Sequence, residues 1–289
     1  MSIVSILIVL IFHNCGSKED KSSLKQQVAE QINFDTPPKA KSPVVPLVEI
    51  EHPGASVMVQ FLVDQNNRSM VCVLYEDTDY GQEILDAAYD QLEEMNMPLI
   101  ETASAKPTDT DFSSQIKKLQ NAGCDLIAMG TQIRSTIIPY IKAKEINWNN
   151  VDFVATSASY FSVVAEQPNG IMDGLYCLNG IVVPYYDTAS DLEKDWWDRF
   201  RSIYSYEPNS GAIYGYIYAD IFIEAVKRAG KDLSVKSFVS AMESLENYAD
   251  PLRTGTVTFT DTQRQGSNIS YFFQVQNGKF EVISGPINY

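Results

Sequence analysis

Three short polar segments hold most of the side chains with which this chain could do chemistry. Glu76 to Gly81 (EDTDYG) follows the apolar run MVCVLY, Gly130 to Arg134 (GTQIR) follows CDLIAM, and Thr156 to Phe161 (TSASYF) follows DFVA. Hydroxyls, an amide and phenol rings are groups that hold a small polar or amphipathic ligand, because a ring offers an apolar wall with a polar tip. Tyr80, Thr131, Gln132, Ser157, Ser159 and Tyr160 are the candidates for ligand contact. The same residue types cap helices and close turns, which is the competing account of every such loop.

Covalent chemistry finds less to work with. The two histidines are His13, just after an N-terminal apolar run, and His52, in a proline-rich stretch, and no G-x-S-x-G segment accompanies either. Acyl transfer therefore lacks its base and nucleophile, and no catalytic residue is assigned. The acidic strings EDTD (76–79) and DTD (109–111) could offer paired carboxylates to a hard cation, so a metal-dependent transferase is the enzyme alternative. Against it, no lysine-bearing glycine loop is present to cradle a phosphate. The reading is of a non-enzyme that uses neither a metal nor a cofactor.

Cys15, Cys72, Cys124 and Cys177 lack the close pairing of a zinc site. Cys72 and Cys177 lie within apolar runs and Cys124 opens one, so small buried thiols are expected there rather than a disulfide. The formal charge of -15, from 37 acidic and 22 basic residues, would repel a phosphate backbone, and no basic stripe offsets it. Nucleic acid is excluded as a partner.

The elements that must position the three loops alternate along the chain. SVMVQFLVDQN has helical spacing, MVCVLY is a continuous apolar run suited to a strand buried on both faces, and GQEILDAAYDQLEEMN places Ile84, Leu85, Ala88 and Leu92 on one helical face. PLIETAS, CDLIAMG and DFVATSA follow as strands, separated by DFSSQIKKLQNAG and by RSTIIPYIKAKEIN, a helix that Pro139 should kink. Residues 70–180 are thus expected to form one parallel sheet covered by helices on both sides. Beyond them, DLEKDWWDRFRSIYSY, GYIYADIFIEAVKRAG and SVKSFVSAMESLENY read as helices and TGTVTFT as a short strand. SYFFQVQ and KFEVIS flank Asn277-Gly278, a dipeptide suited to a tight hairpin. The aromatic cluster Trp196, Trp197, Tyr204, Tyr206, Tyr214, Tyr216 and Tyr218 is expected to pack internally, with some rings left to recruit a partner.

At the N-terminus, Ile3 to Phe12 is too short to span a membrane but fits the apolar core of an export signal. Cys15 follows it after His13 and Asn14, at the place where a bacterial lipoprotein would be cut and lipidated. The polar, proline-bearing stretch up to Pro53 reads as a tether, with one possible strand at Val44 to Ile50.

The ordered series VLYEDTDYGQEILDAAYDQLEEMN, TDTDFSSQIKKLQNAGCDLIAMGT, DFVATSASYF and DGLYCLNGIVVP resembles the second lobe of the type I periplasmic binding proteins. The likeness is strongest to the leucine/isoleucine/valine-binding receptors of ABC-type uptake systems. YGYIYADIFIEAVKRAG and GTVTFTDTQRQGSNISYFFQVQNGKFEVI resemble the closing helix and last strands of that family. The resemblance implies an α/β fold of periplasmic-binding-protein type whose first lobe is incomplete. Its segments would be a signal at 1–15, a tether at 16–53, the second lobe at 54–180, remnant first-lobe helices and hinge at 181–250, and crossover strands returning to the second lobe at 251–289.

It implies an extracytoplasmic, periplasmic or lipid-anchored protein that binds an amino acid or a related amide or carboxylate and serves an ABC permease. Tyr80 resembles the family's cleft tyrosine, and the resemblance puts it first for ligand contact together with Thr131 and Ser157. The family's first-lobe groups for a ligand carboxylate have no counterparts here, so half the cleft would be absent and binding correspondingly weak. No acidic residue stands in TSASYF to meet a ligand's ammonium, which leaves an uncharged or anionic ligand as open as leucine. A degenerate scaffold that binds no small molecule is the remaining alternative.

Overall fold

The computed structural model describes residues 53–231, 233–252 and 254–288. The signal, Cys15 and all but the last residue of the tether lie outside them. Element by element, the chain alternates as its apolar runs demand. Helix α1 (Pro53–Asn66) leads into β1 (Val71–Glu76), α2 (Asp79–Glu94), β2 (Glu101–Ala105), α3 (Ser113–Asn121), β3 (Leu126–Gly130), α4 (Ile133–Glu145) and β4 (Asp152–Ala155). A short helix, α5 (Ser162–Ala165), precedes β5 (Tyr176–Asn179).

These strands form one sheet in the order β2-β1-β3-β4-β5, all parallel. Strand runs of this kind must be apolar on both faces because helices cover both. Along β1 the side chains alternate accordingly. Cys72 and Leu74 enter one core with Ile116, Leu119, Ile127 and Phe153 beneath α3 and α4, whereas Val71 and Val73 enter the other with Met58, Leu62 and Leu92 from α1 and α2. The expected parallel sheet over 70–180 is present, with β5 as its fifth strand.

The rest of the chain builds a second layer and then returns. Helices α6 (Asp191–Tyr204), α7 (Ser210–Ala229) and α8 (Val235–Glu243) pack with a two-stranded ribbon, β6 (Tyr248–Ala249) and β7 (Thr256–Val257). Their core holds Trp196, Trp197, Ile213, Ile217 and Leu252. The hairpin β8 (Ile269–Gln276) and β9 (Lys279–Asn288) then adds antiparallel to β5 and completes the seven-stranded sheet. Its turn is made by Asn277 and Gly278, both at positive φ, as the Asn-Gly dipeptide favours. Phe272 of β8 stacks on Phe61 of α1 at 3.8 Å between ring centroids, tying the last strands to the first helix.

One expectation is corrected. Cys72 and Cys124 are not separate thiols but a disulfide, with Cα atoms 5.9 Å apart across 52 positions of sequence. The topology causes this: β1 and β3 are hydrogen-bonded neighbours, with Cys72 opposite Ile127, and Cys124 sits just ahead of β3 on the same face. Two such positions fall inside the distance that a disulfide spans. Cys177 remains a free, buried thiol, as expected.

Candidate functional site

Parallel strands all end on one edge of a sheet, so the segments after β1, β3 and β4 meet there and can present polar groups without interrupting a ladder. Tyr80 is the second residue of α2, and its position is set by two local devices. Thr78 caps the helix by accepting the Gly81 N–H at 3.1 Å. Gly81 lies so close to the strand that a Cβ there would stand 1.9 Å from the Glu76 carbonyl oxygen, so only glycine fits. The Tyr80 hydroxyl bonds the Thr156 hydroxyl at the end of β4, joining the first loop to the third. Burial pushes the Tyr80 phenol up to about 12 despite the opposing pull of that bond.

The middle loop supplies a different kind of group. Gln132 is the N-cap of α4, but its side chain makes no capping bond and stays exposed. Its backbone N–H donates to a Glu76 carboxylate oxygen at 3.3 Å. Ser157 in the third loop is exposed as well. Of the expected site residues, Gln132 and Ser157 are exposed at the strand ends, and Tyr80 beside them is half-buried, packed against the core that holds Val71, Val73 and Ile84.

Thr131, Ser159 and Tyr160 sit lower. The Thr131 and Thr136 hydroxyls are 2.6 Å apart, Thr136 and Ser159 are 2.7 Å apart, and the Ser159 hydroxyl donates to the Thr131 carbonyl at 3.1 Å. All three side chains are buried. A closed hydroxyl network of this kind fixes the second and third loops relative to each other. Tyr160 is buried too, with its ring against Phe273 and Phe280 and its hydroxyl accepting the Val183 N–H at 3.3 Å. Thr136 and Thr156 were not singled out from the sequence, and Glu76 entered only within the acidic string EDTD, as a possible cation ligand. Thr136 carries no signal beyond its place one turn into a helix, whereas Thr156 opens a segment already noted and Glu76 closes an apolar run.

The acidic strings have ordinary duties. Asp109 and Asp111 accept the backbone N–H groups of Lys106 and Ser113 at 2.9 Å each. Among the described residues no group of three His, Cys, Asp or Glu side chains is arranged to hold a metal.

Two cavities lie elsewhere. One of about 470 Å³ is lined by Ile217, Phe222, Phe238, Met242 and Phe259 between α7, α8 and the ribbon. Another of about 530 Å³ lies among Tyr185, Tyr186, Trp197, Glu207 and Phe280. Neither includes Tyr80, Gln132 or Ser157. In the aromatic cluster Trp196 and Trp197 are buried, Tyr214 and Tyr216 are half-buried, and Tyr204, Tyr206 and Tyr218 are exposed.

A mainly parallel sheet covered by helices on both faces, with polar loops gathered at its carboxyl edge, defines an α/β domain of the open-sheet kind. Residues 29–279 match the family model of the periplasmic binding proteins, and the chain belongs to that family. Solved structures share the fold at low identity. A leucine-binding protein from Thermotoga maritima superposes with a TM-score of 0.66 at 15% identity, over 81% of this chain and 65% of that one. A branched-chain amino-acid ABC transporter protein from Thermus thermophilus, with bound valine, gives 0.71 at 12%, over 82% and 65%. A solute-binding protein from R. palustris in complex with benzoate gives 0.66 at 13%, over 81% and 62%. This chain thus spans slightly less than two thirds of these structures. A search of curated proteins gave no match.

Proposed function

We propose that this chain is an extracytoplasmic receptor for a small molecule, an amino acid or a related amide or carboxylate, that serves an ABC-type permease. The carrying observation is the convergence of Tyr80, Gln132 and Ser157 at the carboxyl ends of β1, β4 and the strand between them, in a chain of the periplasmic binding protein family. The Tyr80 ring supplies an apolar wall, and the amide and hydroxyl supply orienting hydrogen bonds. Thr131, Ser159 and Tyr160 act beneath them as the support that holds the loops in place. The Cys72–Cys124 disulfide fits an oxidising compartment, which favours export. In this reading Cys15 is the point of lipid attachment.

Calorimetry with a panel of amino acids, small carboxylates and amides, valine and benzoate among them, tests the proposal. At least one compound should bind. Tyr80→Ala should weaken it about tenfold or more, as loss of an aromatic contact does, and Gln132→Ala by a smaller factor. A panel with no binder, or binding that neither substitution changes, would reject the site.

A further inference from the structure

We infer that Glu76 is a specificity-determining residue of the strand-end site, and that its carboxylate selects ligands bearing a positive charge, an ammonium group above all. The inference rests on the site proposed above and names the chemistry of its ligand. Glu76 ends β1 and is 3% exposed, so it is a carboxylate held almost wholly out of water. One oxygen accepts the Gln132 N–H at 3.3 Å. Among the described residues the other has no hydrogen-bond partner, and no lysine or arginine pairs with the group. Among those residues no side-chain nitrogen or oxygen is both sealed from solvent and unbonded. The second oxygen therefore meets solvent through the small opening that remains to the residue, at the edge where the three loops converge.

A carboxylate so placed is the group that most needs a cation, because a buried charge without a partner is costly and an arriving ammonium relieves it. Its charge is also felt at the Tyr80 hydroxyl, where it adds to the burial that raises the phenol, so the two groups share one neighbourhood. An amine seated on Glu76 would lay its carbon skeleton on the Tyr80 ring and leave its other end to Gln132 and Ser157. An anion of the same shape would instead be repelled. The TSASYF loop lacks an acid, but the strand beneath the first loop supplies one.

The competing role for Glu76 is to brace the middle loop by holding the Gln132 N–H. Glu76→Gln separates the two, since a glutamine oxygen still accepts that N–H but carries no charge. The probes are L-valine, its amine-free analogue isovalerate, and isobutylamine, which keeps the amine without the carboxylate. Their affinities are measured by calorimetry on the full chain, alongside the melting temperature of each variant.

The wild type should bind the two amines at least tenfold more tightly than isovalerate. Glu76→Gln should weaken both amines at least tenfold, leave isovalerate equal or tighter, and keep the melting temperature. Glu76→Asp retains the charge and should retain the sign of the preference, which decides the matter if the glutamine variant does not fold. An amine preference that survives in Glu76→Gln, a parallel loss for all three probes, or a wild type that favours isovalerate would overturn the inference. In each of these cases a loss of binding in Tyr80→Ala would leave the site itself standing. A wild type that binds none of the three overturns the assignment of Glu76, and the wider panel then decides the site.

Discussion

Breaking the Cys72–Cys124 bond should destabilise the protein by about 4 kcal/mol. The bond closes a loop across 52 positions, running from β1 through α2, β2 and α3 to the start of β3. Removing that cross-link frees the unfolded chain by about 14 cal/mol/K, which is about 4 kcal/mol at 25 °C. Both half-cystines are buried in the core beneath α3 and α4, so the folded state can hold two thiols there with little change. The effect therefore falls mainly on the unfolded state.

Urea unfolding, followed by circular dichroism and by the fluorescence of the buried Trp148, Trp196 and Trp197, reads the difference directly. With a slope of about 2.5 kcal/mol per molar urea, the midpoint should drop by about 1.6 M on reduction. The Cys72→Ala/Cys124→Ala double variant should fall at least as far, because it also removes two buried sulfurs. After alkylation of the unfolded, unreduced protein, mass spectrometry should find Cys72 and Cys124 unlabelled. A reduced protein whose midpoint lies within about 0.3 M of the oxidised one would refute the loop-entropy reasoning.

Other expectations follow from the same geometry. Gly81→Ala should displace the start of α2, because its Cβ would fall 1.9 Å from the Glu76 carbonyl oxygen, and ligand affinity should fall with stability; a variant with unchanged melting and binding would contradict this. Leu74→Ala, at a fully buried position in a central strand, should lower stability by about 2–5 kcal/mol in the same urea assay. The phenols of Tyr80 and Tyr185 are raised by burial to about 12, from 10.0 when unfolded. Because the folded values are the higher ones, their contribution to stability is whole below pH 10.0 and is lost as the pH climbs through about 12. Phenolate absorbance should therefore show buried tyrosines ionising only as the circular dichroism signal is lost; complete ionisation near pH 10.0 with the fold intact would contradict the burial.

What could be read from the sequence was whatever repeats locally. MVCVLY and CDLIAMG announce buried strands through unbroken apolar runs, and Asn277-Gly278 announces its hairpin through two residues that accept positive φ. The three loops were found because each follows such a run. What stayed hidden depends on which distant segments become neighbours. Cys72 meets Cys124 only because β1 lies beside β3, and nothing within either segment reveals that. The hydroxyl network of Thr131, Thr136 and Ser159 likewise joins a strand end, a helix turn and a separate loop. Glu76 stands in an acidic string that reads as paired carboxylates for a cation, and only the close approach of the Gln132 backbone and of Gly81 shows it to be enclosed. Among the aromatics, Trp196 and Tyr206 look alike in sequence, and only the packing of α6 and α7 separates the buried ring from the exposed one.

The central claim is that a small ligand binds at the carboxyl edge of the sheet, and amide hydrogen exchange with and without a ligand found by calorimetry tests it most directly. Protection should concentrate at residues 78–82, 131–134 and 156–159, where the loops bearing Tyr80, Gln132 and Ser157 become ordered against the ligand. Protection confined instead to residues 217–222 and 238–242, around the apolar cavity between α7 and α8, would place the site elsewhere and contradict the account.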